Sequence, residues 1–378
     1  MIKQQFLFWI LFLCLHINAE AQKKHVLVES LSGAWCGFCP DASVLMDEFV
    51  SHNGVIPISI QIADIMEIPE GKILSDEHTG GGVPAFFIDR KMHSNTDFLS
   101  YGLERENILE SLLLQLNETP ICDVAFTSFS YNATTNLLSV GLEAVFFENY
   151  SQGNLRFNLY VLRKEVQSTD NDYYQANFYN FTEDHAYQNA GNPIKDYIHN
   201  NILVKMLGGT WGTPNSLRSS MITKGEKLKF TYSFPVDPNF KIKNLKLVGL
   251  VQQYSDDISN IEIINSNQLD FMDGLNGSFL DDSNVGINTI ENIDFLLLYP
   301  NPVNNFLNIA FNSLESQKVK FHLINQLGQT IEVFSKSVNA GSNKEAIKLS
   351  KDLESGIYFL NIETQSGAII SRKVMIHN

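Results

Sequence analysis

Two thiols three positions apart, in Trp35-Cys36-Gly37-Phe38-Cys39-Pro40, are the groups in this chain most able to do chemistry. That spacing places the second cysteine one helical turn beyond the first, close enough to close a disulfide with it. The thiolate is the nucleophile of thiol–disulfide exchange. A thiol at a helix N-terminus is helped toward that form by unpaired backbone N–H groups and the positive end of the helix dipole. In this reading Cys36 attacks, Cys39 resolves the mixed disulfide, and Gly37 allows a tight turn between them. The same pair could be an inert structural disulfide, and the sequence leaves both readings open. Zinc would need further ligands, and no second paired motif supplies them. Haem attachment would need His after Cys39, where Pro40 stands. No cofactor is implied, because the sulfur pair carries the electrons.

The elements that must position this pair are short strands alternating with helical stretches. Val26 to Leu31 reads as a strand leading into the motif, and Asp41 to Val50 follows with Val44, Leu45 and Phe49 at helical spacing. Val55 to Ala63 alternates like a strand, Ala85 to Ile88 is another, and Glu104 to Leu116 returns to helical period. This order predicts an α/β unit. Beyond Thr119-Pro120 the chain turns strand-rich. Leu138, Val140, Leu142, Ala144 and Phe146 alternate strictly, as do Leu155, Phe157, Leu159 and Val161, then Leu228, Phe230, Tyr232 and Phe234. Such period-two runs predict a β-sandwich.

Trp directly before the first cysteine, and Gly81-Gly82-Val83-Pro84 ahead of Ala85-Phe86-Phe87-Ile88, make the first region resemble the thioredoxin superfamily. The separation of 48 residues between Cys36 and Pro84 (84 − 36) suits one intervening βα segment. The resemblance implies that Pro84 is a cis-proline facing the cysteines. It also implies that Val83 pairs its backbone with an extended polypeptide substrate beside Trp35. The stretch VLVESLSGAWCGFCP is more narrowly similar to surface proteins of the family named for a twenty-eight-kilodalton outer-membrane protein, which carry a β-rich domain after the redox-like one. One departure stands out. Thioredoxins place a buried acid six positions before the first cysteine, and here that position is Ser30, with Glu29 beside it facing the other way.

The tail carries a second resemblance. Leu298-Tyr299-Pro300-Asn301-Pro302, NNFLNI (304–309), LINQLG (323–328), Gly356-Ile357-Tyr358-Phe359-Leu360 and Lys373-Val374 follow in order. They are similar to the type A C-terminal sorting domain of type IX secretion, a small β-sandwich read by the secretion machinery and removed after transport. At the other end, Lys3, the apolar run from Phe6 to Leu15 and Ala19-Glu20-Ala21 predict a cleaved signal peptide. Together these place the protein on the outer-membrane surface or in the medium. No later run is long and apolar enough to cross a bilayer, so the mature chain is expected to have no transmembrane span.

The composition narrows the function further. The chain has 378 residues, 44 % hydrophobic and 18 % charged, with a net charge of −15 and no basic block, which argues against nucleic acid as a partner. Cys122 reads as a buried apolar filler, and the histidines show no metal spacing. A segment at about 167–214 is rich in Asn, Tyr and Phe, including Tyr173, Tyr174, Phe178, Tyr179, Phe181, Tyr187 and Trp211. Its aromatics are expected to plug a long loop onto the sandwich, with a glycan or peptide platform as the alternative. No Gly-x-Ser-x-Gly elbow supports a hydrolase.

The fold expected is multidomain α/β plus all-β: a thioredoxin-like domain followed by an Ig-like β-sandwich and a small C-terminal β-sandwich sorting domain. The boundaries are signal peptide 1–21, thioredoxin-like domain 22–118, β-sandwich 119–270, linker 271–292 and sorting domain 293–378. The leading function is thiol–disulfide exchange with polypeptide partners through Cys36 and Cys39. The alternative is a surface binding or adhesion protein in which the pair only locks the fold.

Overall fold

The computed structural model describes residues 24–50, 52, 54–78, 82–91, 105–151, 153–183, 185–217, 221–278, 293–299, 301–350 and 352–377. The expected signal peptide and residues 279–292 of the expected linker lie outside them. The first region folds as β1 (Val26–Ser32), α1 (Cys39–Val50), β2 (Val55–Gln61), α2 (Pro69–His78), β3 (Ala85–Ile88) and α3 (Arg105–Leu116). Helix α2 is the addition to the sequence reading; Pro69 suits its first position and Leu74 buries its inner side. The second region contributes β4 (Cys122–Asn132), β5 (Leu137–Phe146), β6 (Asn154–Val166), β7 (His199–Met206), β8 (Lys227–Pro235), β9 (Leu245–Tyr254) and β10 (Glu262–Asp270), then α4 (Phe271–Asn276).

These two regions share one sheet. Its seven strands run in the order β10-β9-β6-β7-β2-β1-β3, so the strands around the cysteine motif continue into those of the supposed sandwich. The seam is parallel, with Ser59 of β2 opposite Ile202 of β7. Among the described residues the chain is predominantly β, in four sheets. This corrects the expected fold class: a self-contained thioredoxin-like α/β domain followed by an Ig-like sandwich is not what forms. Alternating side chains report which faces are buried, and they carry no signal of which strand fills a free edge.

The large sheet is covered on both faces, which is why β6 is buried without alternation from Leu155 to Leu162. On one face Leu27, Leu31, Ile58, Ile60, Tyr160 and Leu250 form a core that spans the seam. On the other, α1 and α3 cover the β1–β3 end, and the sheet β4-β5-β8 covers the β6–β9 end. The turn after β3 ties the halves together. Asp89 and Arg90 both have positive φ (50° and 52°). Asp89 pairs with Lys24 at 2.8 Å, and Arg90 makes a two-pronged bond to Glu29 at 2.7 and 2.6 Å. Arg90 also donates to Tyr160 Oη (2.8 Å) and Thr210 O (2.7 Å) from across the seam.

The C-terminal region forms a β-rich unit, as the tail motifs lead one to expect. Strands β11 (Ile293–Tyr299), β12 (Phe306–Ser313) and β15 (Gly341–Lys348) make one sheet. Strands β14 (Thr330–Val338), β13 (Gln317–Asn325), β16 (Gly356–Glu363) and β17 (Ile369–Ile376) make the other. Leu298, Ile309 and Phe311 of the first meet Phe321, Leu360 and Val374 of the second. Gly328 closes the β13–β14 hairpin with φ +79°, where a side chain would be strained. Leu297, Tyr299 and Ala310 face outward and join the core under α1 and α3.

His52, at the end of α1, is buried, and burial together with the charge of Arg372 holds its imidazole down at about 3. A histidine neutral when folded and ordinary when unfolded costs nothing above pH 6.5. It removes stability as pH falls from 6.5 toward 3, because only the unfolded chain then takes up the proton. The loss by pH 4 is expected to be on the order of 3 kcal/mol. Urea denaturation across that range should show it, and His52→Gln should flatten the slope.

Candidate functional site

The two cysteines sit where β1 hands over to α1. The loop between turns through Cys36 N–H to Gly33 O (3.0 Å) and Cys39 N–H to Cys36 O (3.2 Å). Cys36 and Cys39 form a disulfide with Cα atoms 5.4 Å apart. The loop is pinned on its β2 side by Trp35 Nε1–H donating to Ile62 O (2.8 Å) and Ala34 N–H donating to Asp64 Oδ2 (2.8 Å). Burial pushes the Asp64 carboxyl up, with the hydrogen bonds from Ala34 and Met66 opposing.

The residues singled out from sequence converge here. The Val83-Pro84 peptide is cis, and Val83 O lies 3.8 Å from Cys36 Sγ. Pro84 immediately precedes β3, the edge strand of the large sheet, and Val83 stands one residue before it. Trp35 and Phe38 are exposed at 52 % and 56 %, whereas Cys36 and Cys39 are 4 % and 1 % exposed. The mouth of the site is therefore aromatic, with the sulfurs just beneath it.

Ser30 is buried on the α1 face of β1, beside Ser43, Asp47, Gln61, Gln175 and Tyr197 around a polar cavity of about 30 Å³. That volume is enough for a water or two. The acid next to it, Glu29, points to the opposite face and is engaged by Arg90. Cys122 is fully buried, and burial pushes its thiol up to about 12, so it is an inert filler in the β4–β5 core. Among the described residues no group of three or more His, Cys, Asp or Glu side chains could hold a metal ion.

Sequence reasoning missed what covers the loop. The aromatic segment expected to plug the sandwich lies instead on the cysteine motif and α1. Phe38 packs edge-on against Phe178 (5.0 Å) and Tyr179 (6.2 Å), His185 Nε2 is 3.2 Å from Asp41, and the Tyr197 hydroxyl donates to Ser43 Oγ (2.6 Å). Composition marked this segment as unusual, but its docking target is a long-range contact.

At the other end of the chain, residues 297–377 match the family model of the secretion system C-terminal sorting domain. The tail is an export address. Through this sorting domain the protein is sent by type IX secretion to the cell surface or the medium, and the secretion machinery is its partner. In fold the chain is similar to HBP35 of Porphyromonas gingivalis. The two are 16 % identical with a TM-score of 0.51, over 94 % of this chain and 99 % of that one. A domain of the outer membrane lipoprotein Omp28 from Porphyromonas gingivalis is more distant: 13 % identity and a TM-score of 0.22, over 40 % of this chain and 90 % of that one. No curated protein matches the chain. Among the described residues no helix is long and apolar enough to cross a membrane. A chain ending at residue 292, without the sorting domain, is expected to stay in the periplasm. Fractionation and surface proteolysis check this, and unchanged surface display would count against the tail as the address.

Proposed function

We propose that this exported protein exchanges thiols and disulfides with polypeptide partners. Cys36 attacks the partner's disulfide and Cys39 displaces the partner from the resulting mixed disulfide. Val83 and Pro84, with Trp35, hold the partner chain. The observation that carries the reading is the Cys36–Cys39 disulfide at the start of α1, with Val83 O 3.8 Å from Cys36 Sγ and Trp35 and Phe38 exposed at the rim. An edge strand following Val83 suits an extended partner, because its outer main-chain groups can pair with an added strand.

A second reading, a surface binding or adhesion protein with a structural disulfide, is favoured by the near-complete burial of both cysteines. One measurement decides. The mature protein is equilibrated in glutathione buffers, and its reduction potential and its rate of exchange with a disulfide-bonded peptide are recorded. Exchange requires a pair that is reduced within the glutathione range and reacts faster than free thiols. A pair that stays oxidised far below that range and reduces no disulfide gives the second reading.

A further inference from the structure

Residues 175–178 run across the cysteine loop and satisfy its carbonyls one after another. The Gln175 amide nitrogen lies 2.9 Å from Cys36 O, 3.2 Å from Gly33 O and 3.1 Å from Ala176 O. Ala176 N–H donates to Ala34 O (2.7 Å), and Phe178 N–H donates to Gly37 O (2.9 Å). Gln175 is 1 % exposed, so its bonds are shielded from competing water. The Phe178 ring lies so close over Gly37 that a Cβ at that position would stand 2.5 Å from it.

The strap is fixed from behind by bonds that do not involve sulfur. Gln175 and Ile194 exchange main-chain hydrogen bonds at 3.1 and 2.8 Å. Asn177, also 1 % exposed, donates through Nδ2 to Tyr187 O and Gly191 O, both at 3.0 Å. The strap therefore has anchors of its own, separate from the Cys36–Cys39 bond.

We propose that residues 175–178 are a redox clamp, with Gln175 as its positioning residue: by holding the loop carbonyls they keep Cys36 and Cys39 together and so set the reduction equilibrium of the pair. Two thiols already held near bonding geometry close their disulfide at little further entropic cost. Loosening the loop lowers their effective concentration, and a given reductant then opens the bond more readily. In the reaction concerned, the Cys36–Cys39 bond breaks and two glutathione thiols become one glutathione disulfide. Two electrons and two protons pass to the cysteines. The clamp acts on an exchanging pair and on a structural one alike, so it stands apart from the function proposed above.

The test is a redox titration of the full mature chain in glutathione or dithiothreitol buffers, read by alkylation and mass. Gln175→Met keeps the side-chain volume and removes the donors. Losing a shared buried hydrogen bond worth about 1 kcal/mol should shift the equilibrium roughly five- to tenfold toward the dithiol. Tenfold corresponds to about 30 mV for this two-electron couple. An equilibrium within about twofold of wild type, in a Gln175→Met protein with unchanged circular dichroism, overturns the clamp. The wild-type chain supplies a second measurement if that variant does not fold. By linkage, reduction must loosen the clamp as the clamp favours oxidation, so hydrogen-exchange protection of the Ala176 and Phe178 amides should fall on reduction. Equal protection in both states overturns the proposal. A protein whose pair shifts with Gln175 but which exchanges with no polypeptide keeps the clamp and loses the exchange reading.

Discussion

The Cys39→Ser protein is expected to leave cells carrying its partners as mixed disulfides on Cys36, while Cys36→Ser protein drops to the uncatalysed background of exchange. The asymmetry follows from position. Cys36 lies in the loop with its sulfur against Val83 O, at the rim where Trp35 and Phe38 are exposed. Cys39 is the first residue of α1 and is the more deeply buried of the two. In the proposed exchange the partner disulfide meets Cys36 first, and Cys39 then resolves the product. Removing the resolving thiol leaves the partner attached until an outside thiol displaces it. Removing the attacking thiol prevents the covalent step altogether. Non-reducing electrophoresis followed by mass spectrometry reads the first effect, and exchange with a disulfide peptide reads the second. If Cys39→Ser protein captures nothing and Cys36→Ser protein exchanges at the wild-type rate, the pair is structural.

The second large effect is expected at the turn after β3. Arg90→Ala should destabilise the protein by about 3–5 kcal/mol, because it leaves the Glu29 carboxylate buried without its partner. Arg90 is 2 % exposed and Glu29 is fully buried, so water cannot replace the lost guanidinium. The same substitution removes the donors to Tyr160 Oη and Thr210 O, which lie beyond the seam. It also frees a left-handed backbone that these contacts hold in place. The double variant Glu29→Leu with Arg90→Met should recover most of the loss, since two apolar side chains of similar volume incur no desolvation of charge. Urea midpoints of the three proteins measure this. An Arg90→Ala midpoint equal to wild type would show that the two regions do not depend on this pair.

The residues that meet at the candidate site were legible in the sequence, and their surroundings hardly at all. Cys36 and Cys39 were singled out by type and spacing, and Trp35, Val83 and Pro84 by the resemblance to the thioredoxin superfamily; the fold brings the five together. Local signals mark the strand before the motif, the helix after it and the turn at the proline ahead of the next strand. Helix α2 escaped notice because Pro69–His78 buries little beyond Leu74 and shows a weak apolar stripe. Gln175, Asn177 and Phe178 escaped because nothing in an Asn- and aromatic-rich segment says where it docks.

The Cys-Gly-Phe-Cys pair, the first strands and helices other than α2, and the motifs of the sorting domain are local features of the sequence, which depend on neighbours within a few residues. Only the tertiary structure decides that β2 joins β7, that Glu29 is consumed by Arg90, and that residues 175–178 lie over the cysteine loop. Each of those joins residues 60 to 145 positions apart, for which edge pairing, burial of charge and unpaired carbonyls select the partner only after the chain has collapsed.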